Sequence, residues 1–397
     1  MDFDDTPEEA AFRAEARAWL EANASMRHGD AAGARNVTSE ENQLQHVANC
    51  RTWQRTLFDG GWAGLTWPAQ FGGRGGTPVQ AMIFSQEEAD FDVTSGALSV
   101  GLAMVGPTLM AWGTPEQQAQ HLEPMLRGEA LWCQLFSEPG AGSDLPSLIT
   151  RAERDGDHYV VNGQKVWTSF AQFADWGILL ARTDRATKSR DGISYFLVDM
   201  TTPGIDVRPL RQSTGVAHFN EVFLTDVRIP AANMVGAEGE GWKVARTTLA
   251  SERISIGSGR GTTFADVTAL LAARRALGWD LDPLQRQQVA RAYISFELMR
   301  YLGLRVQTSI SQGRAPGAEA SILKLAVSAQ SALLGDLGLA LLGPAGTASD
   351  GRVAEADFWR DKFVGQWSMR IGGGTDQMQR NQIGERVLGL PREPKVI

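Results

Sequence analysis

Between about residue 131 and residue 235 the hydrophobic spacing of this 397-residue chain switches from helical to alternating, and after Gly241 it switches back. Helices repeat every 3.6 residues and strands every 2. The switch therefore demands a β unit inserted between two helical parts. His158 to Ser169, H-Y-V-V-N-G-Q-K-V-W-T-S, reads as strand, N-G turn, strand, a hairpin signal. D-W-G-I-L-L-A-R-T and I-S-Y-F-L-V-D-M are further short strands, and H-F-N-E-V-F-L-T-D-V-R-I-P alternates up to Pro230. The expectation is an antiparallel β unit of ordinary sandwich or barrel size.

The flanks read as helices. Asp5-Thr6-Pro7-Glu8-Glu9 offers a cap, a first-turn proline and acids, and Thr114-Pro115-Glu116-Gln117 repeats the signal. Toward the C-terminus the clearest helices are Trp242 to Gly259, Gln285 to Leu304, Ser321 to Leu342 and Gln377 to Leu388. The predicted class is α+β, divided into residues 1–130 (helical), 131–240 (β) and 241–397 (helical).

Composition narrows the function. Hydrophobic content of 43% and charged content of 21% fit a globular chain. No apolar run approaches the ~18 residues that would span a bilayer, and the acidic start M-D-F-D-D-T-P-E-E resembles no signal or transit peptide. The expectation is a cytoplasmic enzyme without membrane insertion. A net charge of −8 argues against a nucleic-acid surface. Cys50 and Cys133 give no disulfide framework, and the five scattered histidines give no zinc spacing.

Three segments could carry chemistry. Cys133 to Leu145, C-Q-L-F-S-E-P-G-A-G-S-D-L, ends an apolar run in a small-residue loop. Such a loop exposes backbone N–H groups to a ligand, and an ordinary strand-end turn fits equally. In a strand, Trp167 and Ser169 share a face. An indole beside a hydroxyl can stack on a flat heterocycle, or the Trp can simply pack in a core. On a helix, Thr248, Glu252, Ser255 and Gly259 form one stripe in which only Glu252 is large. Either that carboxylate has space above it for a ligand, or it faces solvent beside an Arg. Burial near apolar groups would raise its pKa toward the range of a general base.

Together these segments resemble the acyl-CoA dehydrogenase family along nearly the whole chain. The matching pieces are G-L-T-W-P-A-Q-F-G-G-R-G-G, L-F-S-E-P-G-A-G-S-D, V-N-G-Q-K-V-W-T-S, F-L-V-D-M-T-T-P-G-I, F-N-E-V-F-L-T-D-V-R-I-P, E-G-E-G-W-K-V-A and G-G-T-D-Q-M-Q-R-N-Q-I-G-E-R-V-L-G-L-P, in the family's order. The resemblance implies an N-terminal helical domain, a middle antiparallel β domain and a C-terminal four-helix bundle. It implies FAD between the last two, an acyl-CoA substrate and an electron-transfer flavoprotein as acceptor. The α-proton goes to a carboxylate and the β-hydrogen leaves as hydride to flavin N5. Assembly would be a homodimer, a homotetramer or a heterotetramer with a related subunit.

Carried over by position, the resemblance puts Phe136, Ser137, Trp167 and Ser169 on the flavin ring, with Thr375 and Gln377 also touching the cofactor. Ser143 and Arg253 take substrate-contacting places. Many members carry R-x-x-F-G for the FAD diphosphate of the neighbouring subunit. Here that region reads A-R-R-A-L-G-W-D-L-D-P-L-Q-R, with Arg286 as the candidate substitute, and the family's G-G-N-G-like turn reads L-L-G-P-A-G at Leu341 to Gly346.

Many members place the base in a Y-E-G-T motif, where this chain has Gly372-Gly373-Gly374-Thr375. A minority place it on the first helix of the C-terminal domain, directly before an Arg, where this chain has Glu252-Arg253. The resemblance thus implies Glu252 as base and the Gly373 N–H as donor to the thioester oxygen. The alternatives are a same-fold flavin oxidase or monooxygenase, and a non-catalytic FAD- or acyl-CoA-binding subunit of a heteromer.

Overall fold

The computed structural model describes residues 5–26, 40–184, 186, 190–257, 264–276, 278–311, 319–348 and 356–392. By packing the chain forms two compact units. Unit 1 comprises residues 1–24, 37–84 and 93–252, and unit 2 comprises 25–36, 85–92 and 253–397.

Helices α1 (Pro7–Asn23), α2 (Glu40–Asp59), α3 (Pro78–Glu88), α4 (Gly106–Trp112) and α5 (Pro115–Leu126) come first. The cap signals are realised. Thr6 Oγ1 accepts from Glu9 N and Glu9 Oε2 accepts from Thr6 N, while Thr114 and Gln117 make the same reciprocal pair. Each cap stabilises its helix by about 1 kcal/mol. Trp19, Trp53 and Trp62 pack ring on ring with Phe84 in this helical part.

The strands follow: β1 (Trp132–Leu135), β2 (Arg151–Asp155), β3 (His158–Ser169), β4 (Trp176–Arg182), β5 (Ile193–Asp199), β6 (Ile205–Leu210) and β7 (Phe219–Pro230). They form one sheet in the order β1-β4-β2-β3-β7-β6, with β5 on β4. Pairing is mostly antiparallel, but β1 and β2 each meet β4 in parallel. Leu135, Val161, Leu179, Phe196, Val222 and Val227 lie in its core.

One sequence expectation fails here. His158 to Ser169 is a single strand rather than a hairpin. The hairpin lies one strand earlier, where β2 turns through Gly156-Asp157 into β3 and Asp155 pairs with His158. Asn162-Gly163 instead marks a register shift against β7. The Asn162 amide reaches across, donating to Asp226 Oδ1 and accepting from Asp226 N, both at 3.0 Å. Gly163 is small because Thr150 lies over it: a Cβ there would fall 2.8 Å from the Thr150 Cα. The N-G pair serves close packing and not a turn.

Helix α6 (Gly241–Gly257) begins in unit 1. Unit 2 holds α7 (Phe264–Ala276), α8 (Pro283–Ser311), α9 (Glu319–Leu342), α10 (Pro344–Thr347), α11 (Ala356–Ile371) and α12 (Asp376–Arg386). Its core gathers Val267, Leu270, Ala292, Leu334, Leu337, Leu341 and Trp359. Helices α9 and α11 meet closely at Gly335 and Gly338. Contrary to the sequence reading, one segment, Ser321–Leu342 of α9, is long and apolar enough by composition to cross a membrane. Lys324 and Asp336 break its apolar run without lowering its average much. In the fold it packs against α7, α8, α11 and α12.

Candidate active site

In unit 1, β1 ends at Leu135 and the chain passes through Phe136 and Ser137 into the loop 138–150. Phe136 is buried, its ring edge-on to Tyr195 with centroids 5.8 Å apart. Ser137 is half-buried. Two bonds tie this segment to β3: Val166 N donates to Ser137 O at 2.9 Å, and Lys165 Nζ donates to Phe136 O at 3.1 Å.

Lys165 is fully buried and pairs with Glu138, its Nζ 2.8 Å from Oε1. The same carboxylate accepts from Ile149 N at 2.7 Å and Thr150 N at 2.9 Å. Burial pulls the Lys165 ammonium down to about 8, against the favourable charge of Glu138. Burial also opposes the Glu138 charge, but Lys165 and the N–H donors outweigh it and hold the carboxyl below its ordinary range. Both groups are therefore charged at neutral pH.

Just past Lys165 the β3–β7 ladder slips. Lys165 pairs with Val222 and Thr168 with Asn220, so Val166 and Trp167 together oppose Glu221 alone. This is a β-bulge, a device that re-aims a side chain. Trp167 takes φ 61° and leaves its indole 60% exposed, while Thr168 is buried and Ser169 half-buried. The sequence placed Trp167 and Ser169 on one face by simple alternation. The bulge between Lys165 and Thr168 interrupts that alternation. A chain of amides holds the strand end: Asn220 Nδ2 donates to Thr168 O and Gln172 Oε1, and Gln172 Nε2 donates to Gln43 Oε1. Ser143 is exposed within the 138–150 loop.

Helix α6 is fixed in unit 1 by its second turn. Thr248 is fully buried, with Oγ1 2.9 Å from Thr108 Oγ1 and 3.2 Å from the Tyr195 hydroxyl. Trp112 Nε1 donates to Thr247 Oγ1 at 2.9 Å. The stripe of small residues is thus not open at its first member, because Thr248 faces protein. Glu252 lies in α6 one turn further on. The side chains of Glu252, Arg253 and Ser255, and all of Gly259, lie outside the described residues.

In unit 2, α11 ends at Ile371 and three glycines lead to α12. Gly373 and Gly374 adopt φ 64° and 84°, the left-handed region where a side chain is strained. Gln379 Nε2 donates to Gly373 O at 3.1 Å. Thr375 caps α12, accepting from Met378 N at 3.2 Å, and is half-buried, while Gln377 is exposed. Asp376 points inward instead, 3.2 Å from Lys324 Nζ and 3.4 Å from Arg370 Nε. Its burial opposes the charge, but Lys324, the Ser328 hydroxyl and Arg370 together prevail and hold its carboxyl below the usual range. Arg286 is exposed in the first turn of α8.

Three family models cover the chain in order: acyl-CoA dehydrogenase N-terminal domain over residues 6–129, middle domain over 133–227 and C-terminal domain over 239–388. The chain belongs to the acyl-CoA dehydrogenase family. A relative, acyl-CoA dehydrogenase IpdE1 of Mycobacterium tuberculosis, is 39% identical over 387 residues, covering 97% of this chain and 98% of its own. Among solved structures, the Tcur3481-Tcur3483 steroid ACAD aligns with TM-score 0.82 and 28% identity over 99% of this chain and 100% of its own. The ChsE4-ChsE5 complex from Mycobacterium tuberculosis aligns with TM-score 0.77 and 29% identity, again over 99% and 100%.

As an acyl-CoA dehydrogenase the protein is an FAD-dependent oxidoreductase. The wall in unit 1 fits a flat cofactor, since the bulge turns an exposed indole outward beside two small hydroxyl residues, Ser137 and Ser169. Several pairings that shape this acyl-CoA dehydrogenase escaped the sequence reading: Glu138 with Lys165, and Lys324 with Asp376, which the sequence offered only as an alternative cap to Thr375. For Glu138 and Lys324 the signal was a charge inside an otherwise apolar or small-residue run. Arg274 also escaped, although it heads an R-x-x-L-G string. Its guanidinium is held by Trp279 O, Asp280 O, Leu341 O and Gln285 Oε1.

Proposed function

We propose that this acyl-CoA dehydrogenase converts a bulky, steroid-sized acyl-CoA to the trans-2-enoyl-CoA, with Glu252 as the base that removes the α-proton. The observation that carries this reading is the backbone of Gly373. At φ 64° it disfavours any side chain, so a carboxylate has no comfortable place there. The next carboxylate that the resemblance offers is Glu252, one turn beyond the anchored Thr248.

The α-proton of a thioester is too weakly acidic for a carboxylate unless the enolate oxygen is stabilised. A backbone N–H does this without a side chain, and Gly373 N–H is the proposed donor. Such fixed donors contribute about 3 kcal/mol or more to a barrier. Phe136, Ser137, Trp167, Ser169, Thr375 and Gln377 would hold FAD, with Arg286 toward its diphosphate. FAD, when bound, supplies the two-electron acceptor for the β-hydrogen. Ser143 and Arg253 would contact the acyl-CoA.

The steroid-like size of the acyl group is supported by the likeness to one solved structure, a steroid ACAD. Assembly with a second copy or a related subunit is supported by exposed Phe363, Trp367 and Ile371, spaced four apart on α11. An electron-transfer flavoprotein is the proposed acceptor. The family-domain matches support the division at about residues 130 and 240.

The test is Glu252→Gln. The variant should bind FAD normally and lose flavin bleaching by acyl-CoA thioesters by ~10²–10⁴-fold, the usual worth of a general base. Near-normal bleaching would remove Glu252 from the role. A thioester panel running from butyryl to steroid-sized acyl groups tests the substrate class.

A further inference from the structure

We propose that the buried Lys165–Glu138 pair is a positioning clamp that makes the 138–150 loop and the Trp167 bulge one mechanical unit. The inference rests on the reading above, in which Ser143 faces acyl-CoA and Trp167 with Ser169 faces FAD.

The geometry is that of a staple with three attachments. One carboxylate closes the loop, since Glu138 stands at its entrance and accepts from Ile149 N and Thr150 N at its exit. Glu138 N and O also exchange bonds with Ala141 O and N at 3.0 Å, which shapes the first turn of the loop. The second attachment is Lys165 Nζ, which joins that carboxylate to β3 at 2.8 Å. The third is the Phe136 carbonyl, which the same ammonium holds at 3.1 Å. Lys165 is also the last residue in register with β7 before the bulge that turns Trp167 outward.

Stability alone does not explain the pair. Removing two charges from water is costly, and apolar residues of similar volume usually stabilise a fold as well or better. The pair does something apolar packing cannot. Its directional bonds reach three separate chain segments at once, fixing the loop relative to the strand end. A change at Lys165 on β3 should therefore be felt at Ile149 and Thr150. A change at Glu138 should be felt at Trp167 and Ser169.

The test compares Lys165→Met, Glu138→Gln and the double variant, each as FAD-loaded protein. Hydrogen exchange is the direct readout. Lys165→Met should speed exchange of the Ile149 and Thr150 amides at least ~10-fold. Glu138→Gln should do the same for residues 166–169, with β4 and β5 amides unchanged. Loosening confined to the mutated segment would overturn the clamp. The double variant carries no unpaired buried charge and should melt near the wild-type temperature. Its FAD Kd should nonetheless be ~10-fold weaker, and its KM for acyl-CoA should rise more than its kcat falls. Return of FAD Kd and KM to wild-type values together with stability would reduce the pair to a structural one and overturn the proposal. Trp167→Ala and Ser143→Ala probe the underlying reading separately. If they leave FAD Kd and KM unchanged, the ligand placement fails and the exchange data alone decide the clamp.

Discussion

Thr248 Oγ1 lies 2.9 Å from Thr108 Oγ1, both side chains wholly buried, and the Tyr195 hydroxyl stands 3.2 Å away on the same oxygen. This contact fixes the axial and rotational setting of α6 in unit 1, one turn before Glu252. Thr248→Val keeps the shape and removes the hydroxyl. The Tyr195 and Thr108 hydroxyls each lose a partner, at a cost of roughly 1–3 kcal/mol. Thr248→Ser should melt near wild type and Thr248→Val several degrees lower, measured by calorimetry. Equal melting of the two would show that the hydroxyl is not the fixing element.

Gly373→Ala places a Cβ on a backbone at φ 64°. The expected cost is about 1–2 kcal/mol in denaturant unfolding. A stability change below a few tenths of a kcal/mol would mean that the turn relaxes freely.

His121 sits edge-on to Trp132 and Trp176, with centroids 5.2 and 4.6 Å away, and burial lowers its pKa to about 4. The unfolded chain takes up this proton near pH 6.5, and the folded chain near pH 4. Stability is therefore full above pH 6.5 and falls as the pH drops toward 4. The loss attributable to this ring is on the order of 3 kcal/mol. His121→Phe should lose less stability across that window than wild type does, as measured by thermal melts from pH 7 to 4. Parallel pH profiles would exclude His121 as the source.

A Cβ on Gly338 would fall 2.2 Å from the Trp359 ring, which is itself buried. Either α9 and α11 separate or the indole moves. Gly338→Ala should destabilise by roughly 1–3 kcal/mol, the usual cost of overpacking. Gly303→Ala on α8, where a Cβ meets no atom within 4 Å, is the control and should match or slightly exceed wild type.

Much of the fold was legible because its signals were local. Thr6 and Thr114 announced their helices through cap residues, and the alternation of β7 ended at Pro230 as read. Asn162-Gly163 misled because its local preference for a turn lost to pairing with Asp226 and to the closeness of Thr150. That contact is remote in sequence and invisible there. Trp167 and Ser169 were paired by simple period, but the bulge that exposes the indole depends on register against β7. Lys165 and Glu138 stand 27 residues apart, and nothing local says that they meet. The burial of Thr248, first member of the small-residue stripe, was hidden for the same reason, since its partners come from α4 and β5.

The left-handed backbone at Gly373 also bears on how such a protein can change over generations. A single substitution to glutamate would put the new carboxylate on a turn that resists it, and Gln379 and the α12 cap are already built around that turn. Selection would meet the loss in folding before any gain in activity. An acid at this position would therefore fold as well as the glycine only if the turn changed along with the side chain.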